Sequence, residues 1–215
     1  MAGTITAIRV QKKNPRRASL YLDGKFALGL SVEVVQDWGL RRGQALSEAD
    51  LEALRQAERK QRAYRDALRL LSYRPRSTAE VRQRLARRDY DEDQIEAAVA
   101  RLQELGLLDD RAFARAWVEN RQVFRPRGRR ALASELWQKG LAREVIDEVL
   151  DSMLDEGDEA QQALALARKR AGALAGLERP VFFRRLRGYL ARRGYPADVV
   201  REVVGRVWEE TQGGD

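Results

Sequence analysis

The 215-residue sequence contains no cysteine and no histidine. Without cysteine there is neither a disulfide framework nor thiolate chemistry, and without histidine the commonest metal ligand and the usual proton shuttle near neutral pH are missing. Both absences count against an enzyme. Lysine is scarce: among 41 basic residues only Lys12, Lys13, Lys25, Lys60, Lys139 and Lys169 are lysine. No charge-free run is longer than eight residues, whereas a membrane span needs roughly 20 apolar residues. The N-terminus also lacks a basic segment followed by an apolar one. The expectation is a cytoplasmic protein with no membrane association.

What is abundant is arginine. The formal charge is +8 with 34% charged residues, and the planar guanidinium fork suits phosphate and carboxylate better than a flexible ammonium does. Hydrophobic residues make up 44% of the chain, enough for a packed core. Length alone leaves one large domain or two to three small ones open.

Internal periodicity decides between them. Arg74-Pro75-Arg76 recurs as Arg125-Pro126-Arg127, and Arg179-Pro180 follows at a similar interval. The register holds downstream: Val81 maps to Leu132 and Leu186, Leu85 to Leu136 and Leu190, Arg88 to Lys139 and Arg193, Ile95 to Ile146 and Val200, Val99 to Leu150 and Val204. Three copies of one module are expected, each of three helices. The first helices are placed at about 59–73, 110–124 and 158–176, with Leu68 and Leu71, Phe113 and Trp117, Leu164 and Leu166 as apolar positions. Proline ends each of them, because it disfavours helical geometry in the residue before it and brings no amide. The second helix restarts at once, with Ser77 and Glu80 at the spacing of a capping box. It stops near Asp89, Gly140 and Gly194, where a left-handed residue is expected. The third helices carry Ile95, Val99 and Leu102 and their equivalents.

Residues 1–58 differ. "TITAIRVQ", "ASLYLDG" and "KFALGL" alternate apolar and polar residues, and Asp23-Gly24 is a favoured two-residue hairpin turn. A short helix from about 32 to 38 ends at Gly39, and Ser47 with Asp50 opens a helix at 48–58. The expected fold is mainly α: tandem three-helix modules in an elongated, curved array, with a small N-terminal cap of β-hairpin plus helix. The boundaries are 1–58 for the cap and 59–108, 109–156 and 157–212 for the repeats.

The second helices are basic. Residues 76–88 balance at +4, 127–139 at +3 and 179–193 at +6. The third helices are acidic in copies one and two, with Glu92, Asp93 and Glu96, then Glu144, Asp147, Glu148 and Asp151. A three-helix unit resembles a helix-turn-helix, yet a net-negative final helix would be repelled by the phosphates flanking the major groove. Base-specific readout is therefore disfavoured. Stacked modules would instead offer a discontinuous ridge of arginines to a long, repetitive, negatively charged partner. Trp117 and Trp137 sit at helical positions that read as core, and the four tryptophans do not cluster into a stacking platform. Asp109-Asp110 reads as a helix cap in preference to a metal site. No phosphate-cradling Gly-rich loop with Lys-Ser or Lys-Thr occurs.

Four segments carry a family resemblance: "ITAIRVQKKNPRRASLYLDGKFALGLS" at 5–31, "ALRLLSYRPRSTAEVRQRL" at 67–85, "LGLLDDRAFARAWVENR" with "RPRGRRALASELWQKG" across 105–140, and "YLARRGYPADVVREVV" at 189–204. Together they resemble the RecX family of bacterial regulatory proteins over nearly the whole chain. The resemblance implies a monomeric modulator that binds filaments of the recombinase RecA on single-stranded DNA and suppresses ATP hydrolysis and strand exchange. It implies no catalytic residue and no cofactor. The residues expected to meet phosphates or acidic groove residues are Arg74, Arg76, Arg82, Arg84, Arg88, Arg125, Arg127, Arg129, Arg130, Lys139, Arg185, Arg187, Arg192 and Arg193. The rival expectation is a sequence-independent DNA-binding protein that acts without touching a recombinase.

Overall fold

The computed structural model describes residues 3–212, so the outermost residues of the expected cap and of the chain's end lie outside the described residues. An antiparallel sheet opens the chain with β1 (Gly3–Gln11), β2 (Asn14–Leu22) and β3 (Lys25–Ser31), and β4 (Ala45–Leu46) completes it in the order β3-β2-β1-β4. The β2–β3 turn is Asp23-Gly24, both with positive φ of 46° and 79°, as a tight primed hairpin turn requires. Helix α1 (Val32–Asp37) follows, and α2 (Glu48–Tyr73) begins at a Ser47–Asp50 capping box in which each residue satisfies the other's amide.

Helix α2 runs 26 residues without interruption, where separate helices at 48–58 and 59–73 were expected. Nothing between Ala57 and Arg62 could break it: the stretch contains neither glycine nor proline. The expected boundary falls on Glu58, which ties the sheet to the helix. Its carboxylate accepts from the Ser31 amide at 2.6 Å and Ser31 Oγ at 2.8 Å, and pairs with Arg17 at 2.9 Å and Arg65 at 3.3 Å. Leu51 and Leu54 of α2 pack with Ile5, Leu20, Leu22 and Leu30 of the sheet, whereas Ala63 and Ala67 belong to the next core.

That next core is the first three-helix module, α2 with α3 (Thr78–Ala86) and α4 (Glu92–Glu104). The second is α5 (Asp110–Phe124), α6 (Arg129–Gln138) and α7 (Arg143–Met153); the third is α8 (Glu156–Ala171), α9 (Arg179–Arg192) and α10 (Ala197–Gln212). Each second and third helix buries the expected positions: Val81, Leu85, Ile95 and Val99; Leu132, Leu136, Ile146 and Leu150; Leu186, Leu190, Val200 and Val204. The first helices depart from expectation in part: Phe113 is buried as expected, but the others are not. Their deepest repeated positions are the small residues Ala63 and Ala67, Ala114 and Val118, Ala163 and Ala167. Leu68, Leu71, Trp117, Leu164 and Leu166 are only partly buried against the cores. Small side chains let the first helix approach the third closely, so alanine is the core residue there. Trp137, expected in the core, is 64% exposed. It follows Leu136 by one position, which turns it about 100° away from the buried Leu132–Leu136 stripe.

Copy three also differs at its proline. Helices α2 and α5 end just before Pro75 and Pro126, but α8 stops at Ala171 and a 3-10 turn covers Gly172–Leu174. Pro180 lies in the first turn of α9, where its missing amide would have had no helical partner. The Arg179-Pro180 pair is therefore a helix start and not a corner.

The described residues divide into two compact units. One takes in the chain to Arg76 with Val81–Leu108; the other takes in Ser77–Glu80 with the chain from Asp109 onward. The second unit holds two joints of the same design. Helix α6 starts at Gly128, which has no side chain to cap it. Its amides are met from the third module instead: Gly128 N donates to Arg193 O at 2.9 Å, Arg130 N to Gly194 O at 3.3 Å, and Arg129 N to the carboxylate of buried Glu159 at 2.7 Å. At the repeat-equivalent place, Ser77 Oγ donates to Lys139 O at 2.6 Å and Thr78 N donates to Asp110 Oδ1 at 2.8 Å. At the spacing expected for a capping box, Glu80 N donates to Ser77 Oγ at 3.2 Å.

These joints explain the glycines. A Cβ on Gly194 (φ +87°) would fall 2.3 Å from Ala131 N, and one on Gly140 (φ +79°) would fall 2.4 Å from Ala79 Cβ. Asp89 holds the same left-handed geometry at φ 60° and is exposed; the residue there is free to carry a side chain. Gly194→Ala is accordingly expected to cost about 2–5 kcal/mol, from left-handed strain plus overpacking. Asp89→Gly should stay within about 1 kcal/mol of the native protein. Urea denaturation of the two variants checks both.

Candidate functional site

The arginines singled out from the sequence separate into two groups. In the first unit Arg82 pairs with Glu92 at 3.1 Å and also with Glu96, and Arg88 pairs with Asp66 at 2.8 Å. Arg76 Nε donates to Leu70 O in the last turn of α2 at 3.0 Å, and Arg74 Nη1 donates to Pro75 O just beyond that helix at 3.0 Å. Arg84 is exposed. In the second unit Arg129 pairs with Asp151 at 2.7 Å. Arg127 lies 3.7 Å from Glu135 and donates to Arg192 O at 3.4 Å, while Arg193 donates to Pro126 O at 3.2 Å and lies over the Tyr189 ring at 4.8 Å. The last two side chains reinforce the joint between α6 and α9.

The acids of the third helices thus engage the basic second helices directly. The sequence balance counted these charges as separate belts. In the fold, Arg82 with Glu92 and Arg129 with Asp151 form local pairs across one module, each with a partly exposed arginine. Such pairs contribute about 0–1 kcal/mol and mainly hold the side chain in place. The position shared by Arg88 and Lys139 is held down in both copies by the same site on the first helix: Asp66 for Arg88, and Trp117 for Lys139, whose Nζ lies 4.9 Å from the ring. Trp117 also carries Arg121 at 4.4 Å and donates from Nε1 to Glu135 at 2.8 Å.

The second group projects into solvent. Arg125, Arg130, Arg185, Arg187 and Arg192 are exposed and have no acidic partner among the described residues. The joint brings three of them together. Arg130 on α6 and Arg192 on α9 line one cleft beside Gly194, and Arg130 with Arg187 lines a second, which Arg201 of α10 completes. Arg187 rests over the Phe183 ring at 5.3 Å, which keeps its stem extended across the surface. Arg201 went unnoticed in the sequence because it lies on a third helix, outside the basic second helices that the charge balance picked out. Glu135 also lines the first cleft but is taken up by Arg121 at 2.7 Å and Arg127 at 3.7 Å, so the convergent guanidinium groups have the chemistry to receive phosphate or carboxylate oxygens. The first-turn amides of α6 take no part, since the joint already uses them.

The Asp109-Asp110 pair has structural work. Asp109 Oδ1 accepts from the amides of Arg111 at 2.8 Å and Ala112 at 3.2 Å, and Asp110 receives Thr78 N. Among the described residues no group of acids is arranged to hold a metal ion, and no helix is long and apolar enough to cross a membrane.

Comparison with known proteins matches the sheet and all three modules. The chain matches the RecX N-terminal domain over residues 3–47 and the first, second and third RecX three-helix domains over 63–102, 109–150 and 157–204. It is 41% identical over 143 residues to a protein named regulatory protein RecX from Streptomyces coelicolor, covering 66% of this chain and 76% of that one. A protein of the same name from Clostridium botulinum is 29% identical over 202 residues, covering 93% and 94%. A crystal structure of regulatory protein RecX superposes with a TM-score of 0.82 at 26% identity, covering 93% of this chain and 98% of that one.

One group beside the second cleft gives a measurable signature. The Tyr195 ring is buried and its hydroxyl has no hydrogen-bond partner. Burial, then the negative charge of Glu159, pushes its phenol up to about 12. The unfolded chain would ionise near pH 10, so between pH 10 and 12 the folded state binds more protons and stability falls as pH rises. Tyr195→Phe should match or exceed native stability at pH 7, by up to about 1 kcal/mol, and should lose less stability between pH 9 and pH 11. Urea titrations at these pH values test this.

Proposed function

Because the chain belongs to the RecX family of regulatory proteins, we propose that it binds RecA recombinase filaments on single-stranded DNA and lowers their ATPase and strand-exchange activity. The observation that carries this reading is the cluster of Arg130, Arg187, Arg192 and Arg201, four exposed cations on two coupled modules that pair with no carboxylate among the described residues, the one acid in their clefts, Glu135, being held by Arg121 and Arg127. A filament is a repeating polyanion, formed of DNA phosphates and the same acidic protein surface in every protomer. A chain of tandem modules meets such a partner at more than one point. Each contact can then be weak, because after the first is made the others form at high effective concentration. Holding neighbouring protomers in one geometry opposes the cyclic change that accompanies hydrolysis, which is how a protein without catalytic groups would slow an ATPase. The exposed Arg84 and Arg125 extend the same chemistry to the other second helix and to the second corner.

The paired arginines, Arg82, Arg88 and Arg129, serve chiefly to fix their own modules, and the open ones carry the contact. The experiment is RecA ATPase on saturating single-stranded DNA, with the protein titrated in at two salt concentrations. Inhibition is expected well below one molecule per protomer, weakening as salt rises. Arg130→Glu with Arg192→Glu should need about tenfold more protein for the same inhibition, whereas Arg82→Gln should change little. Equal potency of the double variant and the native protein would remove the cluster from the site. Inhibition that vanishes once RecA saturates the DNA would favour a protein that merely covers single strands.

A further inference from the structure

The N-terminal sheet has a second face that the arginine cluster does not use. Leu20, Leu22 and Leu30 point into the core. The alternate positions of β2 point away from it, and there Tyr21 pairs with Ala7 on one side and Phe26 on the other. The two rings meet edge to face, with centroids 6.0 Å apart and planes at 79°. The Arg9 guanidinium lies over Tyr21 at 5.2 Å. Phe26 is 61% exposed, and with Tyr21 beside it the outer face presents two adjoining aromatic rings and not a single scattered one. Further cations lie at the opposite end of the β1–β2 hairpin from this pair. Lys12, Lys13 and Arg16 are exposed at the β1–β2 turn. Between Gly3 and Ser31 the only acid is Asp23, whose carboxylate accepts from the Thr4 amide at 3.0 Å.

We propose that this sheet face is a single-stranded nucleic-acid site in its own right, with Phe26 and Tyr21 stacking on unpaired bases, Arg9 beside them, and Lys12 and Lys13 at the far turn meeting phosphates further along the strand. An acidic protein surface would be met by the cations alone and would leave the ring pair unexplained. A duplex would satisfy the cations, but its stacked bases offer no face to Phe26. An unpaired strand supplies both kinds of group at a regular spacing. The site lies within the first compact unit, so it does not depend on the cluster formed by α6, α9 and α10.

The choice of ligand rests on the reading that the protein works where single-stranded DNA is present. The test therefore contains no recombinase: fluorescence anisotropy of a labelled 20-nucleotide oligo-dT, and of a duplex of equal length, with the full chain over a range of salt. The native protein should bind the single strand more tightly than the duplex. Phe26→Ala should weaken single-strand binding about fivefold to a hundredfold with the salt slope unchanged, and Phe26→Trp should retain binding. Lys12→Glu with Lys13→Glu should weaken binding and also lower the slope by roughly one to two. Among the described residues the one aromatic ring that Phe26 meets is Tyr21, and circular dichroism would confirm that the alanine variant is folded. The proposal is overturned if the native protein does not bind the oligonucleotide, if it prefers the duplex, or if Phe26→Ala binds as the native chain does. Any of these would leave the ATPase test untouched, and failure of that test would leave this one standing.

Discussion

A helix begins with amides that have no partner inside it, and in this protein the start of α6 meets that need with groups from another module. Gly128, Arg129 and Arg130 donate to Arg193 O, to Glu159 and to Gly194 O. A local serine or aspartate cap would satisfy the same donors while leaving the modules independent. Borrowing the acceptors makes the ordering of one helix and the docking of the next a single event. Glycine follows from this, because a backbone-to-backbone joint leaves no room for a Cβ at residue 194. So does the arginine cluster, since Arg130 begins the docked helix and Arg192 ends the one that receives it. The same hydrogen bonds that satisfy the helix start thus bring cations from two modules to one surface.

The two sets of arginines express a balance between fixing and binding. A guanidinium paired with a carboxylate of its own module has a set direction but little field left for a ligand. One without such a partner has the field but needs its direction from elsewhere. Arg187 obtains that direction by lying over Phe183, and Arg130 obtains it from the first turn of a docked helix. The basic third module carries the excess: α9 contains Arg184, Arg185 and Arg187 in its middle and no acid along its length.

Much of the fold was legible because its signals are local. The Asp23-Gly24 hairpin, the Ser47–Asp50 box and the buried stripes Val81–Leu85 and Leu132–Leu136 each arise from neighbouring residues obeying backbone geometry. The repeat was legible for the same reason. What was not legible depends on distant parts of the chain. Alanines 63, 67, 114, 163 and 167 carry no hydrophobic emphasis until the facing helix is in place. Gly140 and Gly194 read as helix stops, and their second duty as docking surfaces is invisible without the incoming helix. Arg82 and Arg129 looked available because their carboxylate partners belong to other helices. The outer face of the sheet went unread because alternation was used to find its buried side, and Tyr21 with Phe26 then counted only as strand formers.

The central claim is that α6 is started by the third module, and amide hydrogen exchange at its first turn tests this most directly. The amides of Arg129 and Arg130 should exchange only with cooperative opening of their unit, as core amides such as Leu136 do. Glu92 and Asp93, in the first turn of α4 behind its own Asp91 cap, provide the comparison and should exchange fast. If Arg129 and Arg130 exchanged as quickly as that pair, the joint would be frayed in solution, and the account of how the arginine cluster is assembled would fail.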